Sequence, residues 1–285
     1  MIFLSKFRAL LLLGRVSNLP TVWSNCLAGW LLGGGGEWPQ FAVLCGGATL
    51  LYVGGMFLND AFDAEFDAQH RRERPIPSGA IQVGTVWRLG VAMLIAGPAL
   101  LTMLGLTTAV FAVCLAGAIL LYDWLHKLIT FSPVLMALCR LLLYLTAASA
   151  AVTGVTGLAM WCALALAAYI VGLSYLARKE ATGVIIQRWP QLLLALPIVI
   201  ALLLNDGASR QSALLTAAIF LLWGLRSLRS VWVQPRNVSH AVSGLLAGIV
   251  WVDWLAVADE PRLFGAVFVG LFLLALLFQR FIPAT

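Results

Sequence analysis

Charge is the scarcest thing in this chain. Only 11% of its 285 residues are Asp, Glu, Lys or Arg, against 62% hydrophobic residues and a mean hydropathy of +0.97. Soluble domains carry about 25% charged residues. So little charge excludes a water-soluble domain with one enclosed core, and lipid must cover the apolar remainder. Histidine is nearly absent as well: His70, His126 and His240 lie far apart and form no metal set. The five cysteines (Cys26, Cys45, Cys114, Cys139 and Cys162) all fall in apolar runs. They lack metal-ligand spacing and give no disulfide framework, so they read as small buried hydrophobes. Period-2 alternation is missing too, which excludes a closed barrel and leaves helices as the way to satisfy backbone groups in lipid. The net charge of +6 sits in short clusters between apolar runs, so no nucleic acid is expected as a partner.

What is present is a series of long apolar runs. Ten segments can be drawn, at residues 16–34, 41–58, 84–105, 107–122, 132–152, 157–177, 190–204, 212–228, 241–257 and 263–278. Several fall short of the ~20 residues that cross a bilayer at right angles, and the ninth is interrupted near its end by Asp253. Residues 3–13 read as an amphipathic helix on the membrane surface rather than as a cleavable leader. With the N-terminus inside, one side receives Lys6, Arg8, Arg15, Arg71, Arg72, Arg74, Arg88, Lys127, Arg178, Lys179, Arg188, Arg226, Arg229, Arg236 and Arg280. The other side receives only Arg210 and Arg262. The positive-inside rule makes the first side cytoplasmic, with ten spans preferred over nine. The long polar loops 59–83 and 176–189 share that side, so chemistry is expected there. The whole chain reads as one transmembrane domain of residues 1–285 in a cell inner membrane, with the lipid bilayer as partner.

The richest segment runs from Gly54 to Asp67. At ~100° per residue, Asn59, Asp60, Asp63 and Asp67 share one face of a helix. Three carboxylates and an amide on one face repel unless a cation lies between them, and oxygen-only donors suit Mg²⁺ together with a substrate phosphate. Arg72 and Arg74 follow, and Pro75 and Pro77 stop the helix and stiffen the loop. Arginine forks bind phosphate oxygens, so metal plus arginine reads as a clamp on a diphosphate.

These residues resemble a known family. Asn59-Asp60-x-x-Asp63-x-x-x-Asp67 followed by 74–79, Arg-Pro-Ile-Pro-Ser-Gly, looks like the first aspartate signature of the UbiA superfamily of intramembrane prenyltransferases. The stretch 15–25 is similar to the family's first span, and 122–127, from Tyr122 to Lys127, resembles its tyrosine-to-lysine motif. The resemblance implies an all-α bundle of 9–10 transmembrane helices around a central cavity open to the cytoplasm. It also implies Mg²⁺-dependent transfer of a prenyl group from a prenyl diphosphate donor to an acceptor, here an aromatic or small polar ring. One departure stands out. Where the family has a second aspartate motif, this chain has Arg178, Lys179 and Glu180, with Glu180 the lone acid. Glu180 then joins Asn59, Asp60, Asp63 and Asp67 as a metal ligand, or Arg178 and Lys179 take over its work on the diphosphate.

Arg140 lies roughly 12 Å into the fifth segment, where charge is costly and faces a cavity or a partner. It is read as a substrate contact, with Tyr144 one turn deeper on the same face. Asn25 in the first segment either lines the cavity or bonds to another helix. Asp60, Asp63, Asp67 and Glu180 are thus the candidate catalytic groups. Asn25, Asn59, Arg72, Arg74, Tyr122, Lys127, Arg140, Tyr144, Arg178 and Lys179 are the candidate substrate contacts. Asp253, Asp259 and Glu260 read as residues flanking the last spans. A transporter, a phosphotransferase and a silent binding scaffold are the rival readings.

Overall fold

The computed structural model describes residues 2–182, 189–205, 209–234 and 236–284; side chains of residues 2–5, 179–182, 209 and 262 are outside the description. The described residues are helical and contain no strand. A surface helix α1 (Ile2–Leu13) leads into α2 (Leu19–Leu32) and α3 (Trp38–Phe62), which continues after a one-residue joint as α4 (Ala64–His70). Then come α5 (Val83–Leu101), α6 (Leu106–Leu125), α7 (Ser132–Ser149) and α8 (Gly157–Thr182). The chain finishes with α9 (Trp189–Leu193), α10 (Leu196–Leu204), α11 (Ser209–Trp232), α12 (Val238–Ala256) and α13 (Arg262–Gln279).

All ten expected segments are helical. Among the described residues, seven helices are long and apolar enough to cross a membrane, namely α3, α5, α6, α7, α8, α11 and α12. Three of the expected spans are shorter. The first is the 14-residue α2, preceded by a 3₁₀ turn at Val16–Asn18. It ends where Gly34, Gly35 and Gly36 all take positive φ, a backbone that helix-forming residues avoid. The seventh is broken into α9 and α10, with Pro197 opening the second piece, where a missing N–H is tolerated. The tenth, in α13, keeps an apolar stretch of Leu263–Gln279.

The helices differ in how far lipid reaches them. Nearly every residue of α2 is buried, so this short helix is the axis of the bundle rather than part of its wall. Helices α7 and α12 are also largely enclosed, whereas α5 and α6 leave large side chains such as Ile95, Leu106, Val110 and Val113 exposed. A helix buried all round can carry polar side chains only if neighbours satisfy them. In α2 these are Thr21, Ser24 and Asn25. The start of α2 is closed by the C-terminal tail, where the Asn18 amide donates to the Ala284 carbonyl at 3.0 Å.

Helices α3 and α5 approach along a glycine seam. A Cβ at Gly54 would stand 3.0 Å from the Gly90 carbonyl, and one at Gly97 would stand 3.0 Å from the Gly47 carbonyl. Close backbone approach of this kind stands in for a hydrophobic driving force that lipid does not supply. It also fixes the end of α3, where the acidic residues lie. Gly54→Leu is expected to destabilise the detergent-solubilised protein by about 1–3 kcal/mol or more through overpacking against backbone. Gly117→Ala, where a Cβ meets nothing within 4 Å, should leave the thermal midpoint unchanged. Equal midpoints for the two variants would refute the seam.

Candidate functional site

The acidic face survives the joint between α3 and α4. The amide of Asp63 donates to the Asn59 carbonyl and the amide of Asp67 to the Asp63 carbonyl, so the helical row runs through Asp63 unbroken. Asn59, Asp60, Asp63 and Asp67 are 6%, 6%, 9% and 2% exposed. Burial on this scale requires each carboxylate to find a partner. Arg74 Nη1 reaches Asp60 at 3.2 Å and Asp67 at 3.0 Å, bridging two acids. Lys127 Nζ lies 2.6 Å from Asp63, and His126 Nε2 lies 3.4 Å from the same oxygen. The Asn59 amide donates to Asp123 at 3.1 Å.

Local chemistry explains how Arg74 gets there. Pro75 and Pro77 fold residues 71–82 into tight turns, with Ser78 N bonded to the Arg74 carbonyl and Gly79 at φ 75°. Ile76 and Ile81 pack on a small cluster formed by Leu13, Phe57, Ala61 and Val86. The loop is therefore pinned on its apolar side, and its arginine is directed to the acids. Arg72 is not: it is exposed, and its Nε donates to the Ala68 carbonyl of α4, the helix before it, at 3.3 Å. The expectation that Arg72 joins the clamp is corrected on that ground.

A narrow cavity opens beside the acidic row between α3, α6 and α7. Tyr52, Gly55, Tyr122, Asp123, Cys139 and Arg140 are among its lining. Asp123 is 3% exposed, and its Oδ2 has no partner among the described residues. Tyr122 stacks on His126, with ring centroids 5.2 Å apart.

Arg140 does not snorkel. Its guanidinium is buried and donates to Asn25 Oδ1 at 2.7 Å, to Thr21 Oγ1 at 3.1 Å and to the Thr21 carbonyl at 3.3 Å. Asn25 in turn donates to Asp253, which is wholly buried and also accepts from Ser24. Asp253 is therefore no flanking residue of the last spans; it is the counter-charge to Arg140, relayed through an amide. Tyr144 is corrected too. It lines a different cavity, toward the opposite face of the bundle. Arg178 turns away from the acids and holds the turn after Lys127, donating to the carbonyls of Ile129 and Thr130 at 2.9 Å and to Ser132 at 3.1 Å. Glu180 and Lys179 lie on the last turns of α8, and their side chains are outside the described residues.

Arg15 was missed as a site residue. It was read only as a basic loop residue, yet its Nη2 stands 3.4 Å from Asp60 and 3.5 Å from Asn59. Its backbone is left-handed (φ 40°, ψ 49°), uncommon for a non-glycine residue and typical of positions whose surroundings hold them. That elbow turns the side chain back over the acidic row. Asp253 carried a usable signal, because an acid inside an apolar run is a functional hypothesis by default.

The donor set has a definite chemistry. Among the described residues, no three His, Cys, Asp or Glu groups converge into a ready-made ion cage. Asp60, Asp63 and Asp67 with the Asn59 amide are nonetheless hard oxygen donors, buried, and the three carboxylates are held by part-exposed cationic side chains. Mg²⁺ binds through one or two carboxylates plus waters and phosphate oxygens, so these residues fit an ion that arrives with a phosphate. Arg15, Arg74, Lys127 and His126 surround them as anion donors.

Two consequences can be measured. Burial pulls the Asp63 carboxyl up, but hydrogen bonds from His126 and Lys127 outweigh it and hold it below the usual carboxylate range. Burial lowers His126, and the bond to Asp63 outweighs it, leaving the imidazole above its ordinary value. A raised histidine contributes stability below its unfolded pKa and loses it as pH rises through the folded one. A depressed aspartate contributes above its unfolded pKa and loses it as pH falls through the folded one. Without added divalent ions, His126→Gln should therefore cost a fraction of about 1 kcal/mol at pH below the ordinary imidazole value, and that cost should vanish as pH rises through the raised one. A cost independent of pH would remove the ion pair. Arg140→Met strands a buried acid and should destabilise by about 3–5 kcal/mol. Adding Asp253→Asn should recover part of that loss, and strictly additive thermal shifts would break the proposed relay.

A model of the UbiA prenyltransferase family matches residues 18–262 of this chain. The digeranylgeranylglyceryl phosphate synthase of Ignicoccus hospitalis is 35% identical over 123 residues, 43% of this chain and 40% of that protein. The protein of the same name from Saccharolobus solfataricus is 37% identical over 73 residues, 26% of each. The matched region thus spans two fifths or less of these curated relatives. The apo structure of a UbiA homolog from Aeropyrum pernix K1 superposes with a TM-score of 0.68 at 16% identity, covering 86% of this chain and 97% of that one. A digeranylgeranylglyceryl phosphate synthase structure superposes with a TM-score of 0.61 at 18% identity, covering 95% and 98%. At these identities the structural likeness speaks to the fold.

Proposed function

The chain belongs to the UbiA prenyltransferase family, and from that premise we propose that it transfers a prenyl group from a prenyl diphosphate to a small acceptor, within the membrane and with Mg²⁺. The observation that carries the reading is the placement of the acids. Three carboxylates and an amide, ringed by Arg15, Arg74 and Lys127, stand beside an apolar cavity that Tyr122, Asp123 and Arg140 line. A prenyl diphosphate has the matching halves: a charged head for the first and a hydrocarbon tail for the second. The relatives' printed name, digeranylgeranylglyceryl phosphate synthase, supports prenyl transfer as the reaction class.

In this reading Asn59, Asp60, Asp63 and Asp67 hold the ion. When bound, Mg²⁺ supplies positive charge against the negative charge that grows on the leaving diphosphate. Arg74, Lys127 and Arg15 bind the remaining phosphate oxygens, moving from their carboxylate partners as the head group arrives. The apolar walls from α3, α6 and α7 exclude water from the electron-poor allylic carbon while its C–O bond breaks. At about 80 Å³ the cavity is well below the roughly 300–1,000 Å³ of typical ligand pockets, so the tail extends from it into lipid. Glu180 is assigned to the ion and Lys179 to the diphosphate, while Arg178 stays on the turn at 129–132; the whole chain of 1–285 is assigned to one domain. The acidic face is assigned to the cytoplasmic side of the inner membrane, because the basic residues crowd the loops on that side.

Purified protein incubated with prenyl diphosphates of several lengths should release diphosphate when given an acceptor. The acceptor panel includes a glyceryl phosphate, an aromatic ring and a polar ring, with products read by mass spectrometry. Asp63→Ala should lower release by about 100-fold or more at limiting Mg²⁺. Full activity in that variant would remove the metal assignment, and binding of donor and Mg²⁺ without turnover on any acceptor would favour a silent scaffold.

A further inference from the structure

A second cavity of about 220 Å³ lies at the other end of the bundle, bounded by α7, α8, α10 and α12 and by the turn after α12. It belongs to the face opposite the acidic row, since it takes the start of α8 and the ends of α10 and α12. Its lining includes Tyr144, Cys162, Asn205, Asp253 and Asp259.

The polar groups there share one character. Asp253 is a buried carboxylate, Asp259 an exposed one, and Asn205 spends an amide hydrogen on the Ala201 carbonyl at 2.9 Å. Tyr144 is 1% exposed, and its hydroxyl has no partner among the described residues. A buried hydroxyl in that condition costs free energy unless something in the cavity meets it. No lysine or arginine is among the lining residues, and Arg140 reaches Asp253 only through Asn25. The cavity thus presents carboxylate and hydroxyl oxygens with no cation among its lining residues. The rest of its wall is apolar, with Leu158, Leu166, Pro197 and Ile200. By volume it holds on the order of seven water molecules at about 30 Å³ each.

We propose that this cavity is a binding site for a small protonated amine with an apolar body, entered from the face opposite the acidic row. The ammonium hydrogens meet the Tyr144 oxygen and the carboxylates of Asp253 and Asp259, and the hydrocarbon part packs against α8 and α10. The site is independent of prenyl transfer, and its ligand takes no part in that reaction.

The test uses the purified full chain at neutral pH, constant ionic strength and no prenyl donor, with benzylammonium, benzyl alcohol and benzoate as probes. Isothermal titration and thermal unfolding are the readouts. Benzylammonium should bind saturably and raise the midpoint, with benzyl alcohol at least tenfold weaker and benzoate not binding. Tyr144→Phe removes only a hydroxyl that has no partner among the described residues, and Asp259→Asn alters an exposed side chain, so neither should lower the midpoint without ligand. Each should weaken benzylammonium binding by fivefold or more. Equal binding of benzylammonium and benzyl alcohol would overturn the cationic assignment. No saturable binding, or unchanged affinity in both variants, would leave a cavity that holds water only and overturn the site. Because no prenyl donor is present, these outcomes are separate from failure of the prenyl-transfer reading.

Discussion

Arg74 touches two buried carboxylates with one nitrogen, and much of the acidic end of the bundle depends on that contact. Asp60 and Asp67 lie on one helix face, and in a partly dehydrated setting their mutual repulsion would splay α4 from α3. A cation between them removes the repulsion. For that cation to arrive, the chain has to turn back immediately after α4, and the prolines at 75 and 77 with the apolar pins Ile76 and Ile81 make it do so. The glycine seam between α3 and α5 holds the other side of the same corner. Helix ends, loop and seam are thus solutions to one electrostatic problem.

A second charge pair, Arg140 and Asp253, is handled differently. Both lie inside the bundle, and they do not touch; Asn25 stands between them with its oxygen toward the guanidinium and its nitrogen toward the carboxylate. An amide carries an acceptor oxygen and a donor nitrogen on one rigid group, so it can face both signs at once. Thr21 and Ser24 fill the remaining positions from the same helix. This explains why α2 is short, buried and polar along one face: it is the connector between charges on α7 and α12, and lipid contact is left to α5 and α6. It also weighs against a transport pathway, because charges closed on one another across an axial helix offer no vacant step for an ion.

How much of this could be read from the residues follows the range of each interaction. The row Asn59, Asp60, Asp63 and Asp67 was legible because helical period is a local property, and Lys127 because it follows a span end on the same side. The helical positions of all ten apolar segments were legible for the same reason. Arg15 was not, since nothing local announces a left-handed elbow at a non-glycine residue. The pairing of Asp253 was not, since its partners Ser24 and Asn25 lie at the far end of the chain. Tyr144 was assigned to the cavity of Arg140 on the strength of i,i+4 spacing. That spacing fixes a face, but α7 borders different cavities along its length: its earlier turns share one with α3 and α6, its later ones another with α8, α10 and α12. Arg72 failed for a smaller reason, a side chain that returned to the helix before it.

The two charge arrangements differ in a way that bears on chemistry. The Arg140 network is deep, with short contacts and little access to solvent, so rearranging it would expose an uncompensated charge in the middle of the bundle. The pairs at the acidic row are looser: Arg15 approaches Asp60 at 3.4 Å, and the side chains of Arg15, Arg74 and Lys127 are 24%, 18% and 36% exposed. Cations held at such a surface can leave a carboxylate for a phosphate oxygen of similar geometry at small cost, because one charge-assisted bond replaces another. In the proposed reaction, Asp60, Asp63 and Asp67, once released by the cations, would be the residues that hold a divalent ion. The site thus keeps its acids neutralised with the same groups that the diphosphate needs, and binding becomes an exchange of partners rather than the burial of new, unpaired charge.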